Sequence, residues 1–176
     1  MLSFAKLAEA EELFSQQLDQ CITAHSETHP LTRVALYNLV RTVREFPPTK
    51  KFAAKAESLL RRQIELCVRT VGAGAEETRA AKADLAAHLE ATETGRFDEM
   101  VELLTEAHGE AHPRTLVVLE GEMCRLHDQG RPADAEPIAR QLLSLSTKIW
   151  GEGHTQTVRY SWMLAALLRQ QGRTHE

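Results

Sequence analysis

The chain has 176 residues, of which 43% are apolar, 5% aromatic and 26% charged, with a formal net charge of −4. That is enough apolar material for one domain with its own core, and the shortage of aromatics suits helices packed through small and aliphatic side chains. The longest apolar runs, such as Met163 to Leu168, fall far short of the roughly 18 residues a bilayer crossing needs, which excludes a membrane-spanning helix.

The first predicted element is a helix over Ala5 to Ala24, and the acidic residues Glu9, Glu11 and Glu12 arrive before any signal-type apolar segment develops. Cytoplasmic residence is therefore the expectation. The turn His29-Pro30-Leu31-Thr32 opens the next helix, since proline is tolerated in a first helical turn where its missing N–H would be unpaired anyway. Phe46-Pro47-Pro48-Thr49 stops that helix and lengthens the following loop. The succeeding helix carries Ala56, Leu60, Ile64 and Cys67 in steps of four, four and three, as Ala10, Phe14, Leu18 and Cys21 do in the first, so each set shares one face.

Thr78 opens another helix, and Thr92-Glu93-Thr94 is predicted as loop. A short helix from about Phe97 to His108 follows, then the turn His112-Pro113-Arg114-Thr115 and a helix ended by Gly130-Arg131. Ala135, Ala139, Leu143 and Ser146 repeat the earlier stripe, with Ala135 at an expected tight helix crossing. A final helix over Thr157 to Gln171 ends at Gly172-Arg173-Thr174-His175-Glu176, which reads like the opening of another repeat.

These elements form a repeat. Ala10-Glu11, Ala56-Glu57 and Ala135-Glu136 each precede a register threonine, and Thr32, Thr78, Thr115 and Thr157 are spaced by 46, 37 and 42 residues. One such hairpin cannot bury its own apolar stripe, so neighbours must stack. The expected fold is all-α, an α-solenoid of about four stacked helical hairpins over residues 1–176 as a single domain, or part of a longer array. The helix near Phe97 is seven residues short, close to two turns, which keeps the phase of its stripe, removes roughly 10 Å of length and implies a notch.

Cys21, Cys67 and Cys124 have no close pair, which speaks against a disulfide framework or zinc ribbon and for buried structural thiols. From Arg33 to Arg69 nine basic residues face three acidic ones, a local +6 that leaves −10 for the rest. A solvated helix face is the simpler reading, and a docking patch for an acidic partner the sharper one. Nucleic acid fits poorly with an acidic chain whose basic stretch lacks interleaved aromatics.

His25 with His29, and His108 with His112, have the i, i+4 spacing of paired metal ligands. Neither pair is tied by sequence to a third ligand, so no metal or other cofactor is expected and the histidine beside proline reads as a turn residue. No phosphate loop or nucleophile elbow occurs, and no strand precedes Gly72-Ala73-Gly74. The adjacent carboxylates Glu76-Glu77 and Asp98-Glu99 suit first helical turns. The chain is not expected to be an enzyme.

Tyr37-Asn38-Leu39, Asp84-Leu85-Ala86, Gln129-Gly130-Arg131, Ala133-Asp134-Ala135-Glu136 and Gln171-Gly172-Arg173 resemble the tetratricopeptide repeat of the 42-residue kind found in kinesin light chains. The resemblance covers nearly the whole chain and implies a right-handed superhelix whose first helices line a concave groove, with paired asparagines holding an extended peptide. The corresponding positions are Tyr37-Asn38, Ala83-Asp84, Glu120-Gly121 and Trp162-Met163, of which only Asn38 keeps the asparagine. Asp84 would accept hydrogen bonds, Tyr37 or Trp162 would anchor an apolar group unless both are core, and Arg41 and Arg159 would suit an acidic ligand. The implied function is a noncatalytic scaffold binding a protein or peptide segment. A subunit that assembles or self-associates through uncapped ends, and a sensor controlling an effector domain, are the alternatives.

Overall fold

The register threonines are the third residues of four helices, and their side chains explain why the repeat needs them. The computed structural model describes residues 4–47, 49–92 and 95–172, and among these the regular structure is eight α-helices with no strand. They are α1 Phe4–His25, α2 Pro30–Arg44, α3 Lys50–Val71, α4 Glu76–Ala91, α5 Phe97–His108, α6 Pro113–Asp128, α7 Pro132–Trp150 and α8 Thr155–Gln170. Thr32, Thr78, Thr115 and Thr157 stand in the first turns of α2, α4, α6 and α8, each no more than 3% exposed.

Six residues before each threonine the chain turns through positive φ: Ser26 at 103°, Gly72 at 97°, Gly109 at 95° and Gly151 at 84°. The hydroxyls of Thr32, Thr78 and Thr115 donate to the carbonyls of the first three, at 2.8, 2.7 and 3.1 Å. Thr157 Oγ1 is buried without a partner. Each bonded threonine clamps the end of one helix to the start of the next, and the clamp requires the left-handed residue. Serine is strained there by its Cβ. Ser26→Gly should therefore stabilise the protein by about 0.5–1 kcal/mol, less than the full strain because glycine loosens the unfolded chain; urea unfolding followed by circular dichroism measures it.

The same turns account for the histidines. His29, His112 and His154 cap α2, α6 and α8, with Nδ1 accepting from the backbone N–H of Leu31, Arg114 and Gln156 at 3.2, 3.3 and 3.2 Å. Their rings stack on His25, His108 and Trp150 at centroid distances of 4.6, 4.4 and 5.1 Å. The i, i+4 spacing thus builds a stacked helix-entry turn. Ala75, which holds the cap position of α4, offers no side-chain acceptor.

The chain divides into two compact units, Met1–Arg96 and Phe97–Glu176. In the first, α2 packs between α1 and α3, and α4 packs on α3, around Leu36, Leu60, Leu85 and Leu89, all at most 1% exposed. Ala56 and Leu60 of the α3 stripe are buried as predicted, while Ile64 is half-buried. The α1 stripe is covered less than expected: Leu18 is buried, but Ala10, Phe14 and Cys21 are half-buried. Within this unit α1 packs chiefly on α2 and touches α3 only at single pairs such as Lys55 with Glu11 and Phe4 with Phe52. Phe46, 5% exposed, stacks on Phe52 at 4.3 Å and closes the loop after α2, where the extra residues of the first interval lie.

In the second unit α5, α6, α7 and α8 pack in chain order. Ala135 and Ala139 are both 0% exposed, as a close helix approach demands, and Leu142 between the neighbouring helices is likewise 0% exposed. The short helix is α5, with 12 residues against 19 in α7, the predicted difference of seven. Gly130 and Gly172 follow α6 and α8 at φ of 71° and 77°. The expectations for Pro48, Glu93-Thr94 and the terminal Arg173-Thr174-His175-Glu176 lie outside the described residues. Of the cysteines, Cys67 is buried and Cys21 and Cys124 are half-buried, so the expectation of three buried thiols holds fully for one. Burial pushes the Cys67 and Cys124 thiols up.

Candidate partner-binding groove

The first unit contains a groove beside Ala80 of the alanine-rich helix α4. Counting from the register threonines, Ala80, Ala81 and Ala83 of α4 take the seats that Arg159, Tyr160 and Trp162 take in α8. Of the three, Ala80 lines a cavity of about 390 Å³ between α4 and α2, where its side chain ends at Cβ. Arg33, Val34 and Tyr37 line it on α2, and Glu77, Ala80 and Asp84 on α4. Its floor is α3, through Gln63, Leu66 and Cys67.

Two features make this groove a candidate site. Val34 and Tyr37 are 56% and 49% exposed, so an apolar wall stands open to solvent. Gln63 is only 9% exposed, and its Oε1 is buried with no hydrogen-bond partner. An unpaired buried acceptor costs about 1–3 kcal/mol. In the second unit the seat seven residues after the repeat alanine is Leu142, where Gln63 stands after Ala56.

In this groove the structure brings together Tyr37 and Asp84, and Arg41 joins them in an adjoining cavity. Asp84 accepts from Arg44 Nη1 at 2.9 Å across the α2–α4 face. Arg41, exposed one turn beyond Tyr37, lines a smaller cavity of about 210 Å³ with Tyr37, Arg44, Glu45 and Asp84. Asn38 is half-buried and does not line the groove; one step along a helix turns its side chain about 100° from Tyr37.

The other three residues lie in the second unit, where Glu120 and Arg159 pair with each other and Trp162 stands exposed. Glu120 Oε2 accepts from Arg159 Nη2 at 2.6 Å and from the Tyr160 hydroxyl at 3.0 Å. The Arg159 guanidinium also lies 5.2 Å from the centre of the Tyr160 ring. Tyr160 is 4% exposed, and burial together with the Glu120 carboxylate pushes its phenol up. Arg159 therefore has an internal acidic partner already. Trp162, 73% exposed, and Tyr37 both stand outside the core, which resolves the alternative left by the sequence.

The basic stretch is likewise largely paired within the first unit. Glu27 accepts from Arg62 and Arg69 at 3.2 and 3.3 Å, and these hydrogen bonds, that of Arg62 foremost, hold its carboxyl below the usual range. Lys55 pairs with Glu11, and Arg61 and Arg96 pair with Glu57. Sequence reasoning missed Val34, Gln63 and Ala80. The signal available was the alanine run of α4, together with a glutamine where the matching repeat has leucine.

Among the described residues no helix is long and apolar enough to cross a membrane, and no group of three or more His, Cys, Asp or Glu side chains could hold a metal ion.

The order of paired helices, their entry turns and the groove-lining first helices together define a tetratricopeptide-like repeat fold. Solved structures agree. The chain is similar to a kinesin-light-chain-type protein from Podosopora anserina with nearly identical TPR-like repeats: 20% identity over 96% of this chain and 81% of that one, with a TM-score of 0.54. A single-residue variant of that protein gives 20% identity, 96% and 80% coverage and a TM-score of 0.53. BtubC (BKLC) from P. vanneervenii gives 14% identity, 96% and 68% coverage and a TM-score of 0.50. No family model and no curated protein matches the chain.

Proposed function

We propose that the chain is a noncatalytic protein-interaction module whose α2–α4 groove seats a peptide segment of a partner protein. The observation that carries this reading is the open cavity of about 390 Å³ with exposed Val34 and Tyr37 above a buried polar floor. Helices fixed by buried threonine clamps hold these side chains in place before the ligand arrives, so most of the ordering cost falls on the partner. The TPR-like fold supports a protein partner in general, and the exposed apolar wall of Val34 and Tyr37 is what favours this groove for it.

The test is selection from a displayed random dodecapeptide library on immobilised wild-type protein and on Ala80→Trp. Ala80 is exposed, and its seat in α8 holds the large Arg159, so the substitution fills the groove without entering the core. Peptide families should enrich on the wild type and lose at least tenfold of that enrichment on the variant. Equal enrichment on both would remove the groove as the binding surface.

A further inference from the structure

We infer, independently of the groove reading, that a second copy of this chain docks on the open side of α8, its α1 covering α8 and its α2 lying alongside. The argument begins with exposure. One side of α8 is buried through Thr157, Tyr160, Leu164 and Leu167. The other carries Val158, Ser161, Trp162 and Ala165, of which Trp162 is 73% and Val158 36% exposed. Counted from the register threonines, the seats of Val158, Ser161 and Ala165 are held in α6 by Leu116, Leu119 and Met123. Those three are at most 2% exposed, in a helix that packs on the α7 that follows it.

A complementary deficit marks the first unit. Ala10 and Gln17 of α1 take the seats of Ala135 and Leu142 in α7, both 0% exposed, yet Ala10 is half-buried and Gln17 exposed. Between them Leu13 is 59% exposed. On the neighbouring α2, Leu31 and Val34, one turn apart on one face, are 52% and 56% exposed. A second-type helix without cover thus stands in one unit, and a first-type helix without cover in the other.

Contacts between successive first helices fix how the two would meet. The fifth residue after one register threonine meets the second after the next, as Glu120 meets Arg159 at 2.6 Å. The twelfth meets the sixth, as Arg44 meets Asp84 at 2.9 Å. Carried across to a second copy, the same offsets join Trp162 to Val34 of that copy and Arg169 to its Asn38, whose amide oxygen accepts a hydrogen bond. Two of the most exposed apolar side chains cover each other. Charge favours this pairing over α8 against α8: α8 carries Arg159 and Arg169 and no acidic residue, whereas α1 carries Glu9, Glu11, Glu12 and Asp19 against Lys6. The contact is heterologous, so each copy offers one donor face and one acceptor face.

Sedimentation equilibrium of the 176-residue chain tests it. Between about 5 and about 300 µM the weight-average mass should rise at least about 1.5-fold over the monomer. Trp162→Ala spoils only the α8 face and Leu31→Asp only the α2 face, and each variant alone should stay monomeric with unchanged helical circular dichroism. Their mixture should pair again and stop at the heterodimer, because one intact face of each kind remains. Ala80→Trp, which fills the α2–α4 groove, should associate as the wild type does. A wild type that stays monomeric would overturn the inference, as would association that survives either face substitution or is abolished by Ala80→Trp. A mixture that does not pair would overturn it too, since only joining of unlike faces predicts rescue.

Discussion

Leu142→Ala should lower the unfolding free energy by about 2–5 kcal/mol, the range for removing a fully buried leucine from a packed core. Leu142 is 0% exposed and takes the core place expected of its neighbour Leu143, which is half-buried, within the cluster formed by α6, α7 and α8. The flanking backbone is fixed by the alanine crossings, so it has little freedom to collapse into the space left behind. Leu31, 52% exposed in the first turn of α2, is the control, and Leu31→Ala should change stability by less than about 0.5 kcal/mol. Urea unfolding followed by helical circular dichroism measures both. A loss below about 1 kcal/mol at Leu142 would mean that α7 does not sit at the centre of its unit.

The threonine clamp makes a prediction whose sign changes between repeats. Thr78→Val should destabilise by about 1–3 kcal/mol, because the methyl group fills the same space while the Gly72 carbonyl loses the hydroxyl that meets it at 2.7 Å. Thr157→Val should be neutral or stabilising, since the Thr157 hydroxyl is buried with no acceptor and valine removes an unpaired polar atom. Parallel thermal melts of the two variants decide it. Equal losses at both positions would mean that threonine shape, rather than its hydrogen bond, matters in this turn.

The fold was legible because its determinants are local and recur. Threonine in the first turn, the histidine turn before it and the apolar stripe behind it recur because every repeat must satisfy the same backbone geometry. The length of α5 could be read for the same reason, since a stripe that keeps its phase admits only losses near whole turns. The left-handed seats at Ser26, Gly72, Gly109 and Gly151 were not anticipated, and Ser26 is the hardest to see because serine does not advertise positive φ as glycine does. His25 and His29 show the limit from another side: their spacing is shared by ligand pairs and stacked rings, and only the Nδ1 bond to Leu31 distinguishes the two.

The site was less legible, because it depends on which side chains from different helices meet. Tyr37 and Asp84 were identified from their repeat positions and do line one groove, yet Gln63 comes from the second helix of a repeat, which the resemblance assigns to packing. Its significance appears only when the amide is found buried and unpaired. Arg159 shows the reverse case. A cation that looks available in sequence stands 2.6 Å from Glu120, a partner 39 residues away that no local pattern connects to it.

The alanines of α4 have a wider implication for how such a protein can diversify. The pocket is subtractive, a volume left where atoms are missing, so it can be gained, reshaped or lost by changing two or three side chains while clamps, caps and crossings stay as they are. The shape of the groove and the architecture thus depend on separate sets of positions, and one hairpin can be reshaped without disturbing the next.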